Sequence, residues 1–509
     1  MARDVARQAI EVELKLEFDP ADAARIASHP ALEASLAPPE DRDLVSIYFD
    51  APDCTLHRLG VYLRIRESDG RFVQTVKTAK GKAGLLERLE WEREISGRTL
   101  DLDGLAGTAL EPLLTPELRA ALQPVFETRI RRHICRLAQD GSDIEVAIDL
   151  GEVATRTHTR PISELELELK RGEKQALFDL AHILAATVPF RLEVKTKAER
   201  GYELLQGGGY QAEKARSVDI PPDMTAGDAF RAIALSCLRQ IMANEPSMCA
   251  GHTESLHQMR IGLRRLRAAI AIFADVVADE NLAKIKTELE WITQELGPAR
   301  DLDVFDAEVL SPLRTSHPED EAIAAAHGDL QQKRMAAYAR AAAAARSGRF
   351  RAAVLDLAEW IETGSWAVDD DKDLTALRTR PVAKHAKKKL GRLRKWIKRE
   401  GDDLRDRSAS QRHHIRIRAK RLRYATEFFA ATFPGEKSAK LRTESLAALK
   451  DLQDALGDLN DLATRHVLID DSLEGDTNLA DAESQAEPLL LKAERAVACF
   501  ADTKAFWKT

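Results

Sequence analysis

From Ile162 to Lys170 the chain reads ISELELELK, so that Glu164, Glu166, Glu168 and Lys170 alternate with Leu165, Leu167 and Leu169. A helix would spread both classes around its circumference, but a strand sends side chains two apart to one face. The segment is therefore expected as a strand with one apolar and one charged face. The same period returns in EVELKLEF with Glu11, Glu13 and Lys15, in VYLRIRES with Arg64 and Arg66, and in RLEWEREIS with Arg88, Glu90, Glu92 and Glu94. Lys77 in FVQTVKT and Asp149 in IEVAIDLGEV stand in further strands of this kind, with Gly, Asp and Pro turns between them.

An antiparallel sheet ordinarily wets one face, which accounts for any one of these strands alone. Their joint pattern asks for more, because separate strands supply carboxylates and cations in quantity with apolar residues between. In a barrel closed on itself one alternating set faces inward. If the apolar set packs against outer helices, the charged set lines a tunnel. Burying so many charges unpartnered is prohibitive, and a metal-bound polyanion would partner both signs. Arg and Lys suit phosphate oxygens, and Glu suits Mg²⁺ or Mn²⁺. Two helices are expected in this half, at 173–187 and 197–206, both packed outside the sheet.

Taken in order, these segments resemble the CYTH domain over roughly residues 8–206. Glu11, Glu13 and Lys15 form its E-x-E-x-K signature; GVYLRIRE is similar to its paired-Arg strand, TVKT to its Lys strand, LLERLEWERE to its Arg-x-Glu-x-Glu strand and ISELELELKRG to its late acidic strand. KTKAERGYELL, with Lys197, Arg200 and Tyr202, resembles its C-terminal Lys helix. The resemblance implies an eight-stranded antiparallel tunnel that hydrolyses triphosphate compounds with a divalent metal. It implies Glu11, Glu13, Glu164 and Glu166 as metal ligands, and Lys15, Arg64, Arg66, Lys77, Arg88, Arg132 and Lys197 as phosphate contacts. Glu90, Glu92, Asp149 or Glu168 would orient the attacking water or a second metal. In FETRIRRH, Arg129, Arg131 and Arg132 compete for the inward place, and family spacing favours Arg132.

The stretch QGGGYQAEKARSVDIPPDM interrupts regular structure with three glycines and Pro221-Pro222, and beyond it the period changes to that of helices. This half repeats itself. LHQMRIGLRRLRAA from Leu256 lies over RHHIRIRAKRLRYA from Arg412, and LGPARDLD from Leu296 lies over LGDLNDLA from Leu456, offsets of 156 and 160 residues. His257, Arg260, Arg264 and Arg267 fall on one helical face, and His413, Arg416, Lys420 and Arg423 repeat the stripe. Arg265 and Arg421 sit beside it around each helix. A basic stripe is commonly a solvated surface, but its recurrence in both copies favours a shared anionic ligand at the repeat interface.

The duplicated pattern resembles the CHAD domain, which binds inorganic polyphosphate, over about 223–509. By that likeness the two stripes with Arg265 and Arg421 are polyphosphate contacts, extended by Lys384, Lys388, Arg392 and Arg394. One departure is visible: Arg300 precedes Asp301 in the first copy where Asn460 precedes Asp461 in the second. Residues 384–424 hold seventeen Lys or Arg against four Asp or Glu inside a chain of net charge −7, which marks a local patch for an anion. Few aromatics interleave with it beyond Trp396 and Tyr424, so nucleic acid ranks below polyphosphate.

The expected architecture is thus an α+β multidomain protein. An N-terminal eight-stranded antiparallel β tunnel with outer helices occupies 1–210, a linker 211–222, and an all-α duplicated helical bundle 223–509, with repeats near 223–370 and 375–509. No apolar run approaches a membrane span, the N-terminal stretch lacks a secretory apolar segment, and the five cysteines are scattered, all of which favours the cytoplasm. The alternatives are a non-catalytic polyphosphate-binding or targeting protein, an adenylate cyclase or a thiamine triphosphatase.

Overall fold

The computed structural model describes residues 7–33, 35–78, 86–209, 211–368, 371–470 and 479–508; the side chains of 7–9, 88, 460–470 and 479–485 are outside this description. Among the described residues of the N-terminal half there are nine strands: β1 (Arg7–Glu17), β2 (Glu40–Asp50), β3 (Val61–Ser68), β4 (Arg71–Thr78), β5 (Glu87–Ile95), β6 (Gln123–Gln139), β7 (Ser142–Ala154), β8 (Thr159–Arg171) and the short β9 (Arg191–Leu192). Their order is β5-β4-β3-β2-β6-β7-β8-β1, and β1 returns to β5, so eight antiparallel strands close a barrel with β9 added beside β1. Closure is achieved by dividing β1. Residues 7–12 pair with β5, and residues 13–17 pair with β8. The β3–β4 and β6–β7 hairpins turn on Asp69-Gly70 and Asp140-Gly141, all at positive φ, the conformation tight hairpins need.

The apolar outward residues divide between two covers. Leu14, Leu16, Val146, Ile148, Leu165 and Leu167 pack with Leu177, Phe178 and Leu184 of α1 (Gln175–Ala185), and this core runs on into the helical half. Phe49, Leu63, Ile65, Val76 and Trp91 are covered by Leu105 and Leu110 of the β5–β6 connection. Helix α1 thus lies outside the barrel, as expected. Helix α2 (Lys197–Leu205) does not. Its Ala198, Tyr202 and Leu204 pack with Tyr48, Tyr62, Phe126, Val153 and Ile162. Those residues share register with inward positions, Tyr48 opposite Arg64 and Tyr62 opposite Lys77. At this end the inward set turns aromatic and apolar, and α2 plugs the barrel. The fit is close: a Cβ at Gly201 would stand 2.1 Å from the Phe126 ring.

No helix or strand falls within 211–222. The helical half then runs α3 (Ala226–Cys249), α4 (Thr253–Ile272), α5 (Leu282–Glu295), α6 (Gly297–Phe305), α7 (Glu321–Arg346) and α8 (Gly348–Thr363). A second series follows with α9 (Val382–Gly401), α10 (Ala409–Phe428), α11 (Glu436–Asp470) and α12 (Leu479–Asp502). The series differ at the repeated LG turn. In the first, a new helix starts at Gly297 with Pro298 in its first turn; in the second, Gly457 continues inside α11. Proline lacks the N–H that would continue a helix, which explains the break. Among the described residues no helix is long and apolar enough to cross a membrane.

Candidate functional site

Along β8, side-chain exposure rises from 0% at Glu164 through 10% at Glu166 and 26% at Glu168 to 44% at Lys170. The plugged end is thus the deep end, and the barrel opens on the Glu168 side. At depth, Lys197 Nζ contacts three carboxylates at once: Asp149 Oδ2 at 2.9 Å, Glu166 Oε1 at 2.8 Å, and Glu164. Asp149, Glu164 and Glu166 each place an oxygen within 4.8 Å of the others. The ammonium occupies the centre of an all-oxygen cage. Arg132 spans from β6 to both Asp149, through Nε at 2.7 Å and Nη2 at 2.6 Å, and Glu166. Lys15 Nζ lies 2.9 Å from Glu166 Oε1 and 3.0 Å from Glu13 Oε1.

A second group lies across the barrel. Lys77 Nζ contacts Glu11 Oε2 at 2.7 Å and Glu90 Oε2 at 3.1 Å, and Arg64 Nη2 approaches Glu90 Oε1 at 3.5 Å. Thr75 donates to Glu92 at 3.3 Å, and Arg66 donates to Ser46 Oγ at 3.4 Å. The competition among the three β6 arginines resolves by parity. Arg132 faces in, whereas the exposed Arg129 and Arg131 pair with Glu127, Glu152 and Asp41. The backbone of Arg88 stands opposite Glu11, and its side chain lies outside the described residues.

These contacts set the protonation of the interior. Burial alone would raise Glu166, but Lys15, Lys197 and Arg132 outweigh it and hold the carboxyl well below its ordinary range. Asp149 is likewise lowered against burial by Lys197 and Arg132, and Glu11 by Lys77. Arg66 is lowered, first by burial and then by Arg64 and Arg132. Glu168 differs: burial raises it, although Lys170 stands 2.6 Å away. The charges therefore neutralise one another internally, and the expectation that a ligand must supply all their partners gives way to an exchange of partners.

Cations also gather where α4 meets α10. Arg265, buried, donates to Gln240 Oε1 at 2.9 Å and lies over the Phe428 ring at 5.3 Å, so it ties the two helices together. Arg267, His413 and His414 are exposed, and Arg421 is half-buried and lowered first by burial, then by Arg418. Buried nitrogens of His257, Arg260, Arg264 and Arg416 have no hydrogen-bond partner, whereas Arg423 Nε lies 3.3 Å from Glu427 Oε1. Arg260 Nη2 stands 3.7 Å from Asp301, Arg423 Nη1 donates to Gln453 at 3.3 Å, and Lys420 is half-buried. The repeated glycines have a common use. A Cβ at Gly297 would stand 3.3 Å from Arg260 Nη1, and one at Gly457 2.9 Å from Arg416 Nη2. Each glycine leaves room for the guanidinium of the equivalent stripe arginine against a neighbouring helix. Arg394 is turned away, donating to Thr503 Oγ1 at 2.8 Å and to carbonyls that end α12. The side chains of Asn460 and Asp461 are outside the described residues.

Residues 9–202 match the family model of the CYTH domain, and residues 232–470 match that of the CHAD domain. The chain carries a CYTH domain followed by a CHAD domain. Its CYTH half is 32% identical over 203 residues to an inorganic triphosphatase of Haemophilus influenzae, an alignment covering 38% of this chain and 54% of that relative. The chain thus matches about half the length of that curated relative. Among solved structures, the CHAD domain of the plant Ricinus communis is 28% identical, covering 58% of this chain and 99% of that one with a TM-score of 0.47. A putative adenylyl cyclase from Hippeastrum, described as having a dominant triphosphatase activity, is 17% identical over 40% of this chain and 97% of its own, with a TM-score of 0.30.

Parity in the CYTH sequence finds the charged lining but misses what supports it. Tyr48 stacks on Phe126 with ring centroids 4.5 Å apart, and Arg64 beside it draws its hydroxyl down against burial. Glu193 lies outside the period-two strands, yet is buried and accepts from Arg200 at 2.8 Å. The signal available for Glu193 is only that an acidic residue precedes the Lys helix by four positions.

Proposed function

We propose that the CYTH domain hydrolyses inorganic triphosphate or a related triphosphate with Mg²⁺ or Mn²⁺, in the cytoplasm, and that the CHAD domain binds polyphosphate. The observation that carries this reading is the blind, charge-interleaved interior, where one ammonium sits among Asp149, Glu164 and Glu166. A donor set made only of carboxylate oxygens fits a hard divalent ion and suits softer metals poorly. Glu164, Glu166 and Asp149, with Glu11 and Glu13 on β1, would hold it. When bound, such an ion supplies positive charge against the phosphoryl oxygens and polarises the phosphorus for attack.

The chain's own cations do the remaining positioning. Lys15, Arg64, Lys77, Arg132 and Lys197 exchange their carboxylate partners for phosphate oxygens, and Arg66 and Arg88 join them as phosphate contacts, the arginines by two-point contacts. In-line attack by water then needs an oriented carboxylate. Of the proposed group Glu90, Glu92, Asp149 and Glu168, the raised Glu168 is best suited to take the proton, since Asp149 and Glu92 are held down. The 32% identity to a protein named inorganic triphosphatase supports the same substrate class.

Purified protein with Mg²⁺ or Mn²⁺ should release phosphate from tripolyphosphate, and Glu11→Ala plus Glu13→Ala should abolish release. Unchanged release would sink the catalytic assignment, and binding without release would make the tunnel a holding site. For the helical domain, the orphaned guanidinium N–H groups of Arg260, Arg264 and Arg416 support a polyanion. Long polyphosphate should displace DNA at matched salt. His413→Ala plus Lys420→Ala should weaken polyphosphate binding and leave tripolyphosphate turnover in place; equal loss of both would argue against separate sites.

A further inference from the structure

Lys197 opens α2 immediately after its N-cap, Thr196, so whatever fixes this cap fixes where the Lys197 ammonium stands. The cap is a reciprocal pair: Thr196 Oγ1 accepts from Glu199 N at 3.0 Å, and Glu199 Oε2 accepts from Thr196 N at 2.9 Å. Glu199 has a second oxygen, Oε1, which accepts from Arg216 Nη2 of the connecting segment at 3.4 Å and, more closely, from the helical domain. Arg239 of α3 donates from Nη2 to Glu199 Oε1 at 2.7 Å, and its Nη1 donates to the carbonyl of Val194, two residues before the cap. Glu199 is 8% exposed, so this bond is made out of water. The far end of α2 is anchored within the barrel domain itself, by Gly201 against Phe126 and by the Tyr202 hydroxyl donating to Asp50 at 2.8 Å. The first turn, which bears Lys197 and Arg200, is held both by their ion pairs inside the barrel and by the other domain.

We propose that Arg239 is a positioning residue for the tunnel: by gripping both sides of the β9–α2 junction it sets the place of Lys197 in the carboxylate cage. The role in turnover rests on the reading of the tunnel as a triphosphate site; the grip itself does not. A single guanidinium holds a backbone carbonyl and a capping carboxylate together, which a lysine cannot do with the same geometry. Loss of the grip lets the first turn of α2 fray while the barrel and its plug remain. Misplacing a charged group by an ångström costs catalysis heavily without emptying the site.

The test uses the full chain. In metal-free protein, Arg239→Ala should speed hydrogen exchange at the Glu199 and Arg200 amides about tenfold while leaving α4 amides as in wild type. With Mg²⁺ and tripolyphosphate, kcat should fall about tenfold and KM should move less than about threefold. Arg239→Lys should recover part of each effect. Glu199→Gln, which can still cap the helix, should show the same pattern and decides the matter if Arg239→Ala does not fold. Wild-type exchange at Glu199 and Arg200 in both variants would overturn the proposal, as would loosening spread evenly through α3 and α4. If wild type turns over no triphosphate, the function reading falls and the exchange measurement alone judges the grip.

Discussion

Lys197 Nζ stands 2.9 Å from Asp149 Oδ2, in a position a divalent ion would itself favour. Under the proposed function the ammonium and the metal would compete for one cage, and the competition can be measured. Lys197→Met should tighten Mn²⁺ binding by about tenfold, because the cage no longer has to release an ammonium first. The metal-free variant should lose about 3 kcal/mol of stability, since buried carboxylates are left short of a partner. Added Mn²⁺ should restore its melting temperature. Mn²⁺ titration with parallel thermal melts checks both, and weaker metal binding would refute the cage assignment.

Gly201 leaves no room for a methyl group. A Cβ there would stand 2.1 Å from Phe126, whose ring is itself fixed by stacking on Tyr48. Gly201→Ala should destabilise the barrel domain by about 1–3 kcal/mol through overpacking, despite the better helix propensity of alanine. Turnover should fall with it because α2 carries Lys197. Denaturant midpoints give the stability, and a midpoint at or above wild type would contradict the plug.

The glycine in α11 predicts the opposite division. Gly457→Ala should stabilise the helix by up to about 1 kcal/mol, because only the flexible end of Arg416 stands in the way. Displacing that guanidinium should nevertheless weaken polyphosphate binding about threefold or more, with tripolyphosphate turnover unchanged. Calorimetric titration beside a thermal melt separates the two effects.

His385 predicts an acid sensitivity of the helical half. It stacks on Phe273 at 4.6 Å, its Nε2–H donates to Ile272 O at 3.2 Å, and burial, then Lys389, push its pKa down to about 4. The folded state holds this ring neutral, while an unfolded histidine takes up a proton below about pH 6.5. Its contribution is therefore complete above pH 6.5 and is lost as pH falls toward 4, on the order of 3 kcal/mol at most. His385→Gln should be less stable than wild type at pH 7.5 and should lose less on acidification. Urea midpoints at pH 7.5 and 5 measure the difference.

The barrel was legible because strand parity carries its information locally: Glu164, Glu166 and Glu168 declare a common face without knowledge of their neighbours. The same rule foresees the aromatic inward residues Tyr48 and Phe126 no better than chance, since parity says which side a residue takes and not how deep it lies. That is why α2 was expected outside. Its apolar spacing is equally suited to either surface, and only the closed end of the barrel selects one. Arg239 lay still further from reach, because a helix residue that meets a strand junction has no periodic signal. The stripe arginines were readable from repetition, but the role of Gly297 and Gly457 required the packing of the next helix.

The rise in exposure along β8 makes the barrel a cul-de-sac. Under the proposed function, a long phosphate polymer would enter only by a terminus and could not thread through, so cleavage would proceed from chain ends and each product would back out before the next residue advanced. Such an enzyme counts ends, not links: at equal total phosphate, a sample of many short chains should be consumed faster than one of few long chains.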